Sequence, residues 1–114
     1  EFRRVLFRSI MKGVDGVVFV VDSQAERMEA NVESFEALAK ALDHQGYDIH
    51  KLPVVLQYNK RDVPGAVSVA QLEATFNAMK RPAFEAVAHR GEGVMETLQA
   101  ISQWVIREIK GGKA

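Results

Sequence analysis

The sequence predicts an α/β fold in which three parallel strands alternate with helices. Three observations predict it. The runs Gly16–Val21 and Val54–Tyr58 are short, apolar and largely β-branched, as strands buried on both faces are. Each is followed by a segment whose apolar residues recur at helical spacing. A third such pair closes the chain, Phe84–Ala88 and then a long amphipathic segment. Strands joined through helices lie parallel and cross over right-handed. The strand starts are unevenly spaced, so this is not a repeat array.

The elements follow in order. The first strand ends at Asp22, and Ser23-x-x-Glu26 reads as a capping box. The first helix carries Met28, Val32, Phe35, Ala39 and Leu42 on one face, with Gly46 as its stop. His44 to Leu52 is polar and reads as a surface loop. After the second strand, Pro64-Gly65 makes a turn. Ser68-x-x-Gln71 is a second capping box, and Val67 with Leu72 has the spacing of a hydrophobic staple. That helix is expected to run to about Met79, before Arg81-Pro82 breaks it. The third strand is expected at Phe84–Ala88, followed by a short loop at His89-Arg90-Gly91. The last helix is expected to bury Val94, Leu98, Ile101, Val105 and Ile109, with Trp104 bordering that face and Gly111-Gly112 ending it. Lys113-Ala114 reads as a frayed terminus.

Composition narrows the function. The chain has 114 residues, enough for one domain at most. Fifteen basic and fifteen acidic residues cancel, and no basic run marks a nucleic-acid surface. With no cysteine there is no disulfide framework, thiol-ligated metal or prenylation box, which fits a cytoplasmic protein. The longest apolar run, Val17 to Val21, is far too short for an integral membrane segment, and no secretory signal is visible. The first nine residues, Glu1–Ser9, fit no helix or strand period, and they back-translate simply into the end of a common sequencing adapter. They are expected to be a non-native leader, with native sequence beginning at about Ile10.

The chemistry concentrates at the end of the second strand, where Asn59-Lys60-Arg61-Asp62 stands. Ligands of open α/β sheets bind at the carboxyl ends of strands. Asn-Lys-x-Asp at that position resembles the motif by which Ras-like GTPases read guanine. Guanine offers two adjacent donors, N1–H and the exocyclic amine, and one ionised carboxylate can accept both. By this resemblance Asp62 is that carboxylate, Lys60 lays its stem along base and ribose, and Asn59 ties the turn to neighbouring loops. Arg61 fills the variable position and takes no role. Read from residue types alone, Asn and Asp also suit an ordinary polar turn closing a strand.

The resemblance extends well beyond the motif. Lys12-Gly13-Val14-Asp15-Gly16-Val17-Val18-Phe19-Val20-Val21-Asp22-Ser23-Gln24, Glu26-Arg27-Met28-Glu29-Ala30-Asn31, Gln45-Gly46-Tyr47-Asp48 and Leu52-Pro53-Val54-Val55-Leu56-Gln57-Tyr58-Asn59-Lys60-Arg61-Asp62 are similar to the bacterial gliding-motility and cell-polarity GTPases, the MglA type. The likeness runs from about Ile10 to Ile109. It implies a partial P-loop NTPase fold of the Ras-like G-domain kind, binding of GTP and GDP, and cytoplasmic partners that include a GTPase-activating protein and motility or polarity proteins. Glu85-Ala86-Val87-Ala88-His89 falls where the family carries Glu-Thr-Ser-Ala-Lys, so the Ala88 N–H is implied to meet the guanine carbonyl. Val87 and His89 depart from the family serine and lysine.

The sequence contains no Gly-x-x-x-x-Gly-Lys-[Ser/Thr], and ahead of its first strand it has no Asp-x-x-Gly and no threonine; the Asp-x-x-Gly spacings at Asp43–Gly46 and Asp62–Gly65 come after that strand. Those parts cradle phosphates, hold Mg²⁺ and orient water. In the family they lie upstream of the position of Ile10. Residues 10–114 are therefore expected to be the C-terminal part of a G domain, with Mg²⁺ and hydrolysis belonging to the intact parent and no catalytic residue here. The resemblance also implies that a parental strand lies beside Val17–Val21, whose edge the isolated part leaves open and prone to aggregation. A pseudo-GTPase scaffold and an Arf-like or Rab-like fragment are the alternatives. His44, His50 and His89 have no metal-ligand spacing. Asp22 and Ser23 read as capping residues, Phe35 and Trp104 as packing residues, and Lys110 with Lys113 as too few for a membrane patch.

Overall fold

The computed structural model describes residues 15–112. The leader expected at Glu1–Ser9, the stretch Ile10–Val14 and the terminus Lys113-Ala114 lie outside the described residues.

Strand β1 is Val17–Asp22 and strand β2 is Val54–Asn59; they pair in parallel with Val17 opposite Val54 and Asp22 opposite Asn59. Strand β3, Ala83–Glu85, pairs in parallel on the other side of β2. The sheet order β1-β2-β3 repeats the chain order. Helix α1, Met28–His44, crosses from β1 to β2, and helix α2, Val69–Phe76, crosses from β2 to β3. Helix α3, Val94–Gly112, follows β3.

The period-two alternation of the strands divides the side chains between two faces. Phe19, Val21, Leu56 and Tyr58 point to the side carrying α1 and α2, where they close a core with Leu38, Leu42, Leu72 and Phe76. Phe19, Phe35 and Phe76 meet ring to ring, with centroids 5.0 to 6.2 Å apart. Val18, Val20, Val55 and Gln57 point the other way, towards α3. Val20 is 50% exposed there, and β1 has no neighbour on its outer edge among the described residues.

Several boundaries depart from the sequence expectations. Ser23-x-x-Glu26 forms no capping box: Ala25–Arg27 is a 3₁₀ turn with no side-chain cap at Gln24. The backbone of Ser23 is committed elsewhere, its N–H donating to the Asn59 carbonyl and its carbonyl accepting from Val67 N–H, so its side chain is buried and turned away. At the second site the serine half of the box forms, Ser68 accepting from Gln71 N–H at 3.2 Å as the N-cap of α2. Val67 and Leu72 are both buried in the same core. α2 stops at Phe76 instead of Met79, because Asn77 folds its amide back on Arg81, accepting from its N–H and donating to its carbonyl. Gly46, at φ 87°, does follow the end of α1.

β3 is shorter than expected and begins earlier. After Glu85 the Ala86 N–H still donates to Tyr58, but Val87 turns away into an antiparallel bridge with Glu92, and Ala88–Arg90 form a 3₁₀ turn. The expected buried face of α3 is also only partly buried. Val94, Ile101 and Val105 are half-buried, whereas Leu98 (49%) and Ile109 (47%) are exposed. α3 continues through Gly111 and Gly112 to the last described residue.

Candidate functional site

The three strands end on one rim of the sheet, and the expected site residues gather there. Asn59 is the last residue of β2. Lys60 turns the chain sharply at φ 63°, a left-handed conformation rare outside glycine. The turn therefore directs Lys60 and Asp62 to either side of the strand axis instead of continuing the sheet.

Each expected residue has a defined partner. The Asn59 Oδ1 accepts the Ala88 N–H at 2.9 Å, joining the turn after β2 to the 3₁₀ turn after β3. The Lys60 Nζ lies 3.1 Å from the Asp22 carboxylate at the end of β1. The Asp62 carboxylate lies 3.6 Å from His89 Nε2 and 3.9 Å from an Arg90 guanidinium nitrogen. Asn59, Lys60, Asp62 and Ala88 thus come together on one rim, although Ala88 sits in a turn and not at the end of a strand.

Asp22 does more than the capping role read for it. Its Oδ1 accepts the Gln24 N–H at 3.0 Å, both of its oxygens accept from the Gln24 amide, and it receives Lys60. Burial pushes its carboxyl up, but the Gln24 bonds and the Lys60 ammonium outweigh that and hold it below the usual aspartate value. Asp22 is therefore an ionised anchor for the Lys60 stem.

The turn carrying Ala88 is braced from behind. Gly93 sits at φ 80°, and a Cβ there would lie 2.1 Å from the Glu85 carbonyl oxygen, so no side chain fits. The Thr97 hydroxyl, buried in the first turns of α3, donates to the Gly93 carbonyl at 2.6 Å and accepts from the Gln57 amide at 2.9 Å. This buried pair fastens α3 to the central strand two residues before Asn59. Sequence reading missed Arg61, Gln57 and Thr97. A polar Gln inside an otherwise apolar strand was the signal available for the last two.

Chemically, the rim offers a carboxylate beside an imidazole and a guanidinium, a lysine ammonium held by a second carboxylate, and a backbone N–H beside an amide. That donor and acceptor set fits a flat heterocycle with adjacent N–H donors and a carbonyl. The Ala88 N–H is engaged by Asn59, so a base carbonyl takes it only as Asn59 releases or shares it. Among the described residues, no group of three or more His, Asp or Glu side chains could hold a metal ion.

Three parallel strands alternating with helices, with Asn-Lys-x-Asp at the carboxyl end of the middle strand, define a partial Ras-like G-domain fold. The ADP-ribosylation factor (Arf) family profile matches residues 1–105. The chain belongs to that family. It is 54% identical over 103 residues to the mutual gliding-motility protein MglA of Myxococcus xanthus (strain DK1622), a match covering 90% of this chain and 53% of that protein. It is 33% identical to ADP-ribosylation factor-like protein 4D of Homo sapiens, covering 99% of this chain and 59% of that one. The protein of the same name from Bos taurus is 32% identical, with 100% and 58% covered. The chain spans about half the length of the curated relatives it matches. No helix among the described residues is long and apolar enough to cross a membrane.

Proposed function

We propose that this chain is the base-reading part of a small GTPase that switches between GDP- and GTP-bound states in bacterial cell polarity or gliding motility. The observation that carries the reading is the junction of Asn59 with Ala88, two segments 29 residues apart that meet through one hydrogen bond on the strand-end rim. In this reading Asp62 accepts the guanine N1–H and amine. Lys60, held by Asp22, lies along base and ribose. The Ala88 N–H meets the guanine carbonyl. The bacterial polarity type is favoured by 54% identity to MglA over 103 residues, against 29–33% over 118–124 residues and 43% over a shorter 74-residue stretch for ADP-ribosylation factor-like proteins.

The described residues offer no ligand set for Mg²⁺. Phosphate binding, Mg²⁺ and hydrolysis are placed in a parental segment upstream of Ile10, and Glu1–Ser9 is taken as a non-native leader. Among the described residues β1 has no partner on its outer edge and Val20 is half exposed, which supports this: a further strand beside β1 would pair that edge and cover Val20. By itself the chain binds guanine nucleotide weakly, because only the base is held. The partners of the parent are then a GTPase-activating protein and cytoplasmic polarity machinery.

The test is Asp62→Asn in the parent encoded by the source gene read upstream of the Ile10 codon. An amide donates where the carboxylate accepts, so GTP affinity should fall by about 100-fold or more while xanthosine triphosphate gains. Unchanged base preference removes Asp62 from the site. An upstream sequence without a phosphate loop replaces the hydrolase with a pseudo-GTPase scaffold.

A further inference from the structure

Arg61 occupies the variable position of the Asn-Lys-x-Asp turn, yet it is the side chain there with the widest reach. Its Nε donates to Glu85 Oε1 at 3.2 Å, at the end of β3. One of its terminal guanidinium nitrogens donates to the Val67 carbonyl at the entrance to α2. Val67 N–H in turn donates to the Ser23 carbonyl at 2.8 Å, and Ser23 N–H donates to the Asn59 carbonyl at 3.1 Å. The guanidinium thereby closes a circuit through the ends of all three strands. We propose that Arg61 is a positioning residue that holds the Ala88-bearing loop in register with the Asn59 turn, and so sets the backbone donor presented to the base. The proposal rests on the guanine reading of this turn.

The chemistry requires arginine. Two acceptors on different loops are reached at once by a planar fork, whereas a lysine ammonium is a single point that satisfies one of them. The Arg61 side chain is only 19% exposed, although Glu85 is largely in solvent. An ion pair to so exposed a carboxylate adds little to global stability. Its effect is local: Glu85 lies three residues before Ala88, and the far end of the loop is already fixed by the Val87–Glu92 bridge and Gly93. The near end is held by two backbone bonds, Ala86 N–H to Tyr58 and Arg61 N–H to Ala86, and the Arg61 side chain braces it one residue earlier, at Glu85.

Amide hydrogen exchange on the 114-residue chain tests this without nucleotide. In Arg61→Ala the Ala88 amide should exchange about tenfold faster, as expected on losing charge-assisted bonds, while the Leu56 and Tyr58 amides of β2 keep their rates. Arg61→Lys should fall between. Glu85→Ala, which removes one exposed partner, should shift Ala88 in the same direction by a smaller factor, and it serves if Arg61→Ala fails to fold. An Ala88 rate unchanged in these variants, or one that rises only in step with β2, overturns the proposal. The Asp62→Asn experiment judges the guanine reading separately, so a failure of one is not mistaken for a failure of the other.

Discussion

The two faces of the sheet come from the same strands and end in different states. On the α1/α2 face Phe19, Val21, Leu56 and Tyr58 are sealed, and three phenylalanine rings meet there. On the α3 face Val20 and Leu98 are about half in water, and the closest contact is polar, Gln57 to Thr97. The difference teaches that periodicity states which side a residue faces, while burial depends on whether something lies across from it. One face is a finished layer; the other is a surface prepared for cover.

The sharpest way to break this contrast is Phe76→Ala. It empties the centre of the sealed face, and a cost of about 3–5 kcal/mol is expected, read from urea or thermal unfolding. A cost near that of a surface change would mean that the face is not packed as described. Gln57→Ala tests the open face at the buried Gln57–Thr97 bond. It removes the bond the Thr97 hydroxyl accepts, while that hydroxyl keeps its donation to Gly93, and should cost about 0.5–1.5 kcal/mol, whereas Gln57→Leu with Thr97→Val should recover most of it. Failure of the double variant to recover would make the pair a packing element and not a polar one.

Asp22 is the last residue of β1, and its effect is smaller and depends on pH. Its folded pKa lies below the unfolded value of 3.8, so its contribution is fully present above that value and is lost as the pH falls through the folded one. Asp22→Asn should flatten the acid limb of the unfolding profile below that value and leave the neutral region nearly parallel to wild type. An unaltered acid limb would detach Asp22 from Lys60. The smallest effect belongs to Leu98→Ala, expected within about 0.5 kcal/mol because nothing described covers that side chain. A loss comparable to that of Phe76→Ala would show that the open face is covered in solution, with self-association through the β1 edge as the first explanation to measure by sedimentation.

The sequence disclosed the parts whose physics is local. β1 and β2 announced themselves as apolar runs, Ser68 as a cap and Gly46 as a stop. The strand-end turn was visible as a position because Asn59, Lys60 and Asp62 directly follow an apolar run. What stayed hidden was decided between segments. Ser23 looked like a cap, but its backbone was claimed by Asn59 and Val67. β3 was drawn too long because Val87 leaves the sheet for a bridge with Glu92, five residues on. α2 was drawn too long because Asn77 bonds Arg81 across the break. Arg61 was silent because a variable position has no pattern, only neighbours.

Gly93 carries a genetic consequence. Four described glycines have positive φ, and at Gly46, Gly65 and Gly91 an added Cβ meets open space, whereas at Gly93 it meets the Glu85 carbonyl oxygen. A saturation library should therefore accept Asn or Asp at positions 46, 65 and 91 with little loss and return only glycine at 93. A residue that touches no ligand would then rank among the least replaceable positions in the chain.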